Sequence, residues 1–259
     1  MDSLKQKLRS GKLLVGTHIN LNDFVISEIV GNLGFDFLWI DTEHTAIDYQ
    51  CLLGHLIASK ASNTPAVVRI PWNNPVLAKR VLEMGPAGIV FPMVNTAEEA
   101  DAAMQCCIYP PNGNRGFGPH RAIRYGIDDV VKYIHSDSME LCRFVQVETE
   151  EAVNNLDEIA RNPYIDGFII GPYDLSGSIG QLGRIMDGET DRLINIAIEK
   201  AQKAGKPIGV STGNNDYETL KHWLDKGINI ISTGTEYLGI IQGAKTALNN
   251  IKKILEEKL

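Results

Sequence analysis

Short apolar runs alternate with amphipathic stretches along the chain. The runs at residues 13–17, 37–41, 66–70, 88–93, 143–147, 167–171, 207–211 and 229–233 are apolar almost throughout, not at every second position. A strand wetted on one face alternates, whereas a strand covered on both faces reads as a continuous apolar run. Eight such runs predict eight buried strands, with the stretches between them as covering helices.

The intervening stretches carry helix punctuation. Asn74-Pro75 offers an N-cap and a first-turn proline, Leu77, Val81 and Leu82 an apolar stripe, and Gly85 a stop. Thr96 with Glu99 reads as a capping box, and residues 22–34 and 215–227 each run from an asparagine cap to a glycine. Repeated strand–helix alternation without a linker predicts an α/β chain forming one (β/α)8 TIM barrel over residues 1–259. An open doubly wound sheet would want a glycine-rich phosphate turn after its first strand, and Gly16-Thr17-His18 is not one.

Two segments exceed what a barrel needs. Residues 109–126 form a long loop carrying Arg115, His120, Arg121 and Arg124, and such loops in compact domains are usually functional or mobile. Residues 237–259 read as a long helix with Ile240, Ile241, Ala244, Leu248, Ile251 and Leu255 along one side. Covering its own barrel accounts for much of that stripe, and the length leaves room to reach another subunit.

Composition narrows the field. A formal charge of -7 argues against a nucleic-acid partner, which selects basic surfaces. No apolar stretch is long enough to span a bilayer, and the first residues do not resemble a signal peptide. Cys51, Cys106, Cys107 and Cys142 form no CxxC pair, so reduced thiols in a cytoplasmic protein are expected.

The candidate chemistry lies where apolar runs end, because barrel enzymes react at the C-terminal mouth. Glu148 and Asp174 follow consecutive strands. Close carboxylates repel unless they share a proton or hold a cation, and a site with few protein ligands suits Mg²⁺ or Mn²⁺. Helix capping is the alternative, more serious for Glu148 than for Asp174. Arg69 either pairs with a carboxylate or grips an anion. His44 is a candidate general base, its tautomer held by Asp41 or Glu83. The other histidines lack a comparable setting, although His120 lies in the long loop. No lysine occupies the C-terminal end of any run, and Lys206, which comes closest, sits at the entry end of the seventh. Imine chemistry is therefore disfavoured, leaving metal-assisted polarisation of a carbonyl.

At these residues the chain resembles the class II, metal-dependent pyruvate aldolases, the family of 4-hydroxy-2-oxoheptanedioate aldolase and 2-dehydro-3-deoxyglucarate aldolase. The motifs are Ile40-Asp41-Thr42-Glu43-His44, Val67-Val68-Arg69, Pro92-Met93-Val94, Tyr109-Pro110-Pro111 with Arg115-Gly116, Val145-Gln146-Val147-Glu148-Thr149, and Gly171-Pro172-Tyr173-Asp174-Leu175-Ser176. The resemblance implies Mg²⁺ or Mn²⁺, with Co²⁺ a further candidate, held by Glu148 and Asp174. It implies substrate contacts from Gln146 and the backbone around Tyr173, an enolate stabilised by Arg69, and His44 as base assisted by Glu83. It implies a small oxo acid or pyruvate as ligand and a homo-oligomer, commonly a hexamer exchanging C-terminal helices. Thr42, Glu83 and Tyr173 depart from the family pattern and bear on the aldehyde half, so the acceptor does not carry over.

Three other readings stay open. A metal-enolate acyl-CoA lyase or a phosphoenolpyruvate-type enzyme would use the same style of site. The former needs a basic groove that only Arg115, Arg121 and Arg124 could supply. Those arginines equally suit an acidic aldehyde or a subunit boundary. A non-catalytic barrel would dispense with His44 and Glu148.

Overall fold

The computed structural model describes residues 2–186 and 188–258; Met1, Asp187 and Leu259, within the expected 1–259 unit, lie outside the described residues. Eight parallel strands close in sequence order. They are β1 (Leu14–Ile19), β2 (Phe37–Asp41), β3 (Ala66–Arg69), β4 (Gly88–Phe91), β5 (Cys142–Val147), β6 (Gly167–Ile170), β7 (Ile208–Ser211) and β8 (Ile230–Thr235). The helices are α1 (Leu4–Arg9), α2 (Val25–Gly31), α3 (Tyr49–Ala61), α4 (Pro75–Glu83), α5 (Ala97–Gln105) and α6 (Val130–His135). The rest are α7 (Glu150–Ile159), α8 (Pro172–Ser178), α9 (Gly188–Lys203), α10 (Tyr217–Asp225) and α11 (Glu236–Glu256).

The continuous apolar runs arise because the strands serve two cores. Leu14, Phe37, Trp39, Val67, Val90, Phe144, Ile169 and Ile230 fill the barrel interior, closed from below by Leu4 and Leu8 of α1. Their neighbours Ile19, Leu38, Ile40, Val68, Ile89, Val145, Phe168 and Val210 pack outward against the helices. Period two carried upward from the interior set brings His18, Asp41, Arg69, Gln146, Glu148, Ser211 and Ser232 to the inner face near the mouth. Parallel register agrees, pairing His18 with Trp39, Asp41 with Arg69 and Ser211 with Ser232.

Caps differ in detail from expectation. Asn74 caps α4 with its side chain, accepting from Val76 and Leu77 N–H. Thr96 caps α5, but Glu99 reaches back to the N–H of Asn95, not that of Thr96, so the box is not reciprocal. Asp216, not Asn215, caps α10. The segment from Asn22 begins α2 at Val25 without a side-chain cap on its N-cap residue Phe24.

The C-terminal helix departs most. Only Glu236 of α11 is buried, and Ile240, Ile241, Leu248, Ile251 and Leu255 are exposed. The stripe does not cover its own barrel. Among the described residues no helix is long and apolar enough to cross a membrane, and all four cysteines are free thiols.

Candidate active site at the barrel mouth

Arg69 anchors one side of the mouth. Its Nε and Nη2 donate to Asp41 Oδ1 and Oδ2 at 3.0 and 2.6 Å, a bidentate pair set by neighbouring strand ends. Its Nη1 lies 2.9 Å from Glu43 Oε2, and its guanidinium sits 5.7 Å from the Trp39 ring centroid. The Thr42 N–H and hydroxyl both donate to the Arg69 carbonyl, tying the turn after β2 to β3. Burial works against charge at Asp41, yet Arg69 overrides it and holds the carboxyl below its ordinary range. Burial likewise opposes the Arg69 cation, and Asp41, Glu43 and Glu148 raise its pKa in compensation.

Glu148 lies two strands along the same side, within electrostatic reach of Arg69. It is 2% exposed, and its Oε1 accepts the Met93 N–H at 2.6 Å. Met93 has φ of +52°, unusual for a side chain of that size. Oε2 accepts from Gln146 Nε2. Thr149, not Glu148, caps α7, so helix capping does not account for Glu148. Burial, followed by the charges of Glu43 and Asp174, pushes its carboxyl up to about 7. Glu43 is raised to about 7 by burial, with Asp41 and Asp174 adding to it and Arg69 opposing. Asp174 occupies the exposed first turn of α8, within electrostatic reach of both. Three acids thus crowd one side of the mouth.

A cradle accompanies them. A methyl on Gly171 would stand 2.8 Å from Gln146 Nε2 and 2.9 Å from Glu148 Oε2. Only a glycine leaves that carboxylate its place. Gln146 Oε1 is buried without a hydrogen-bond partner. Acidic oxygens with raised affinity for protons and an orphaned carbonyl oxygen form a donor set suited to a hard divalent cation. Among the described residues no three His, Cys, Asp or Glu side chains are gathered as a preformed metal cage. Glu148 and Asp174 could hold such an ion only with water or ligand oxygens completing its coordination.

His44 stands at the rim, its side chain 63% exposed, with Nε2 3.7 Å from Glu43 Oε2. Its charge acts on Asp41, but the carboxylate paired with it is Glu43, a residue the sequence did not single out. Glu83 is not beside it. The helix α4 descends from the mouth, so its last residue lies toward the opposite end of the barrel. There Glu83 faces Arg115 at 3.7 Å, with Lys79 and His120 acting on it. The expected His44–Glu83 pair is therefore absent within this chain. Tyr173 is exposed, and its carbonyl accepts from Ser176 Oγ at 2.6 Å.

The loop arginines are engaged internally. Arg115 is buried against Tyr109 and Tyr133 and bonds Tyr133 Oη and the Leu82 carbonyl. Arg121 bonds the carbonyls of Met84 and Leu56, and Arg124 pairs with Asp128. Arg121 and Arg124 border one cavity with Lys60 and Asp128, and Arg115 borders another, neither of them lined by a residue of the mouth. Lys206 Nζ bonds the carbonyls of Asn162 and Ile165 below β7.

Sequence reasoning also passed over His18. It is buried at the mouth end of β1, with Nδ1 2.9 Å from the Gly234 carbonyl and Nε2 2.9 Å from Ser211 Oγ. Extending the interior set two residues from Leu14 to Gly16 and His18 would have found it.

Residues 14–242 match the family model described as HpcH/HpaI aldolase/citrate lyase. A hydroxypyruvate/pyruvate aldolase of Agrobacterium fabrum is 34% identical over 232 residues, covering 90% of this chain and 86% of that protein. A 4-hydroxy-2-oxo-heptane-1,7-dioate aldolase of Klebsiella pneumoniae is 34% identical over 244 residues, covering 94% and 91%. The crystal structure of a family protein from Burkholderia cenocepacia J2315 superposes with a TM-score of 0.90 at 28% identity, covering 97% of this chain and all (100%) of that one.

Proposed function

Because this chain belongs to the HpcH/HpaI aldolase/citrate lyase family and is an aldolase, we propose that it cleaves a 4-hydroxy-2-oxo acid reversibly into pyruvate and an aldehyde. The observation that carries the reading is the gathering, on one side of the mouth, of a clamped, buried Arg69 and the Glu148–Gln146–Gly171 cradle, with Asp174 acting on Glu148.

Glu148 and Asp174 would hold a divalent cation, Mg²⁺ or Mn²⁺ with Co²⁺ also suitable, and Gln146 Oε1 is free to accept from a bound water or the substrate hydroxyl. Such an ion, when bound, polarises the 2-oxo group and neutralises the crowded acids. The chain's own side chains do the rest. Arg69 presents a fixed positive edge to the oxygen on which charge develops. It costs no reorganisation, since Asp41 and Glu43 already hold it. His44 takes the proton from the 4-hydroxyl, and Glu43 beside it favours the resulting imidazolium. As that proton leaves, the C3–C4 bond breaks, C4 becomes the aldehyde carbonyl, and the electron pair passes to the pyruvate enolate. Protonation at C3 completes pyruvate.

The chain works as a homo-oligomer in this reading, a hexamer by the family resemblance. Support comes from α11, whose apolar stripe lies open, and from an apolar groove of about 480 Å³ lined by Ile26, Ile29, Val30, Leu33 and Ile240. A second copy of this chain is the occupant that suits both surfaces.

A panel of 4-hydroxy-2-oxo acids, with pyruvate detected through lactate dehydrogenase, tests the function. Pyruvate release that stops on exhaustive chelation and returns with Mn²⁺ or Mg²⁺ is expected. Absence of pyruvate from every member of the panel would overturn the function, and turnover persisting after full metal removal, or covalent trapping of pyruvate by borohydride, would overturn the metal-assisted mechanism.

A further inference from the structure

The mouth has two unlike halves. The β2, β3, β5 and β6 side carries Asp41, Arg69, Glu148 and Asp174, all ionisable. The β7, β8 and β1 side presents Ser211, Ser232 and His18.

The hydrogen-bond direction on that second side can be worked out. The Gly234 carbonyl only accepts, so His18 Nδ1 at 2.9 Å must carry the proton. Burial, with Arg69 adding to it, lowers His18 to about 4, so the ring is neutral at physiological pH. Nε2 is then a lone pair, and the Ser211 hydroxyl at 2.9 Å must donate to it. Ser211 Oγ has spent its one proton. What it has left to offer is lone pairs.

Ser211 is half-buried at the end of β7, adjoining the β6 end that leads into Gly171. Its register partner Ser232 is 1% exposed, and its hydroxyl has no partner. An orphaned, buried hydroxyl beside an acceptor-only hydroxyl is a place for a polar group of a ligand.

We infer that Ser211, positioned by His18, accepts a hydrogen bond from a hydroxyl on the aldehyde half of the substrate, and that the acceptor aldehyde is a hydroxylated one. The inference rests on the aldolase reading and names its substrate class. The oxo-acid half takes the charged side, so the aldehyde carbon faces the neutral one. A hydroxyl supplies the proton that Ser211 lacks. A carboxylate tail supplies only acceptors, and an alkyl tail leaves the Ser211 lone pairs and the Ser232 hydroxyl unmet.

The test compares aldol addition of pyruvate to glyceraldehyde and to its dideoxy analogue propionaldehyde. The wild-type protein should favour glyceraldehyde in kcat/KM by about tenfold or more. Ser211→Ala should lower that ratio about tenfold, Ser211→Thr should restore it, and His18→Phe should lower it because the hydroxyl is no longer oriented. A wild-type ratio near one, or a ratio unmoved by Ser211→Ala, overturns the inference. Exchange of pyruvate methyl protons in D₂O by wild-type protein separates the two levels. Exchange with an unmoved ratio removes this inference alone, whereas absent exchange with absent aldol addition removes the aldolase reading and this inference with it.

Discussion

Replacing Gly171 with alanine adds one methyl group where the cradle has no room. That carbon would stand 2.8 Å from Gln146 Nε2, 2.9 Å from Glu148 Oε2 and 3.0 Å from Glu148 Cβ. Ordinary contact begins near 3.5 Å, so these atoms must retreat by roughly half an ångström. Glu148 is hemmed by Met93 N–H and Gln146, so retreat breaks one of those bonds or moves the strand. Overpacking of this kind costs about 1–3 kcal/mol, a loss of about 2–4 °C in Tm per kcal/mol at this size. On the role proposed for Glu148 the effect on turnover should be larger, approaching the loss on the order of 10²-fold that a misplacement of about 1 Å brings. Steady-state kinetics, calorimetry and Mn²⁺ titration on the same preparation separate the two effects. Wild-type kcat/KM and Mn²⁺ affinity in a variant that melts a few degrees lower would show that Glu148 is not where the chemistry occurs.

Asp41→Asn removes half of the clamp on Arg69; kcat should fall about 10²–10³-fold with a smaller change in KM, as for loss of an oriented charge stabiliser, and an unchanged kcat counts against Arg69's role. Glu43 and Glu148, both raised to about 7, bind protons more tightly folded than unfolded. Metal-free protein should therefore lose stability as pH rises from the ordinary glutamate range through about 7, with Mn²⁺ reversing the loss above it; a chelated protein whose Tm climbs across pH 5–8 contradicts this. Ile251→Asp on the open face of α11 should reduce the mass seen by light scattering while leaving the far-UV spectrum intact, and an unaltered assembly would remove α11 from the subunit contact.

The barrel was legible because strands buried on both faces must be apolar throughout, and β2 ran from Phe37 to Asp41 as read. β1 reached two residues further than its apolar run, since His18 is polar yet buried. Arg69, Glu148 and Asp174 stood out as candidates because they come at or just beyond the ends of apolar runs. Glu83 does not meet His44 within one chain, because a residue's place along a helix also sets which end of the barrel it occupies, and the last turn of α4 lies away from the mouth. Glu43 was missed between two more conspicuous neighbours, for nothing local shows that it turns toward Arg69. The stripe of α11 was visible as a pattern, but a pattern does not say which surface covers it.

Mn²⁺ binding by the wild-type protein and Glu148→Gln, followed by electron paramagnetic resonance and calorimetry, tests the central claim most directly. One tightly held ion per chain, perturbed by added pyruvate and lost in the variant, is the predicted result. Equal binding by both proteins, or no pyruvate effect on the bound ion, would contradict it.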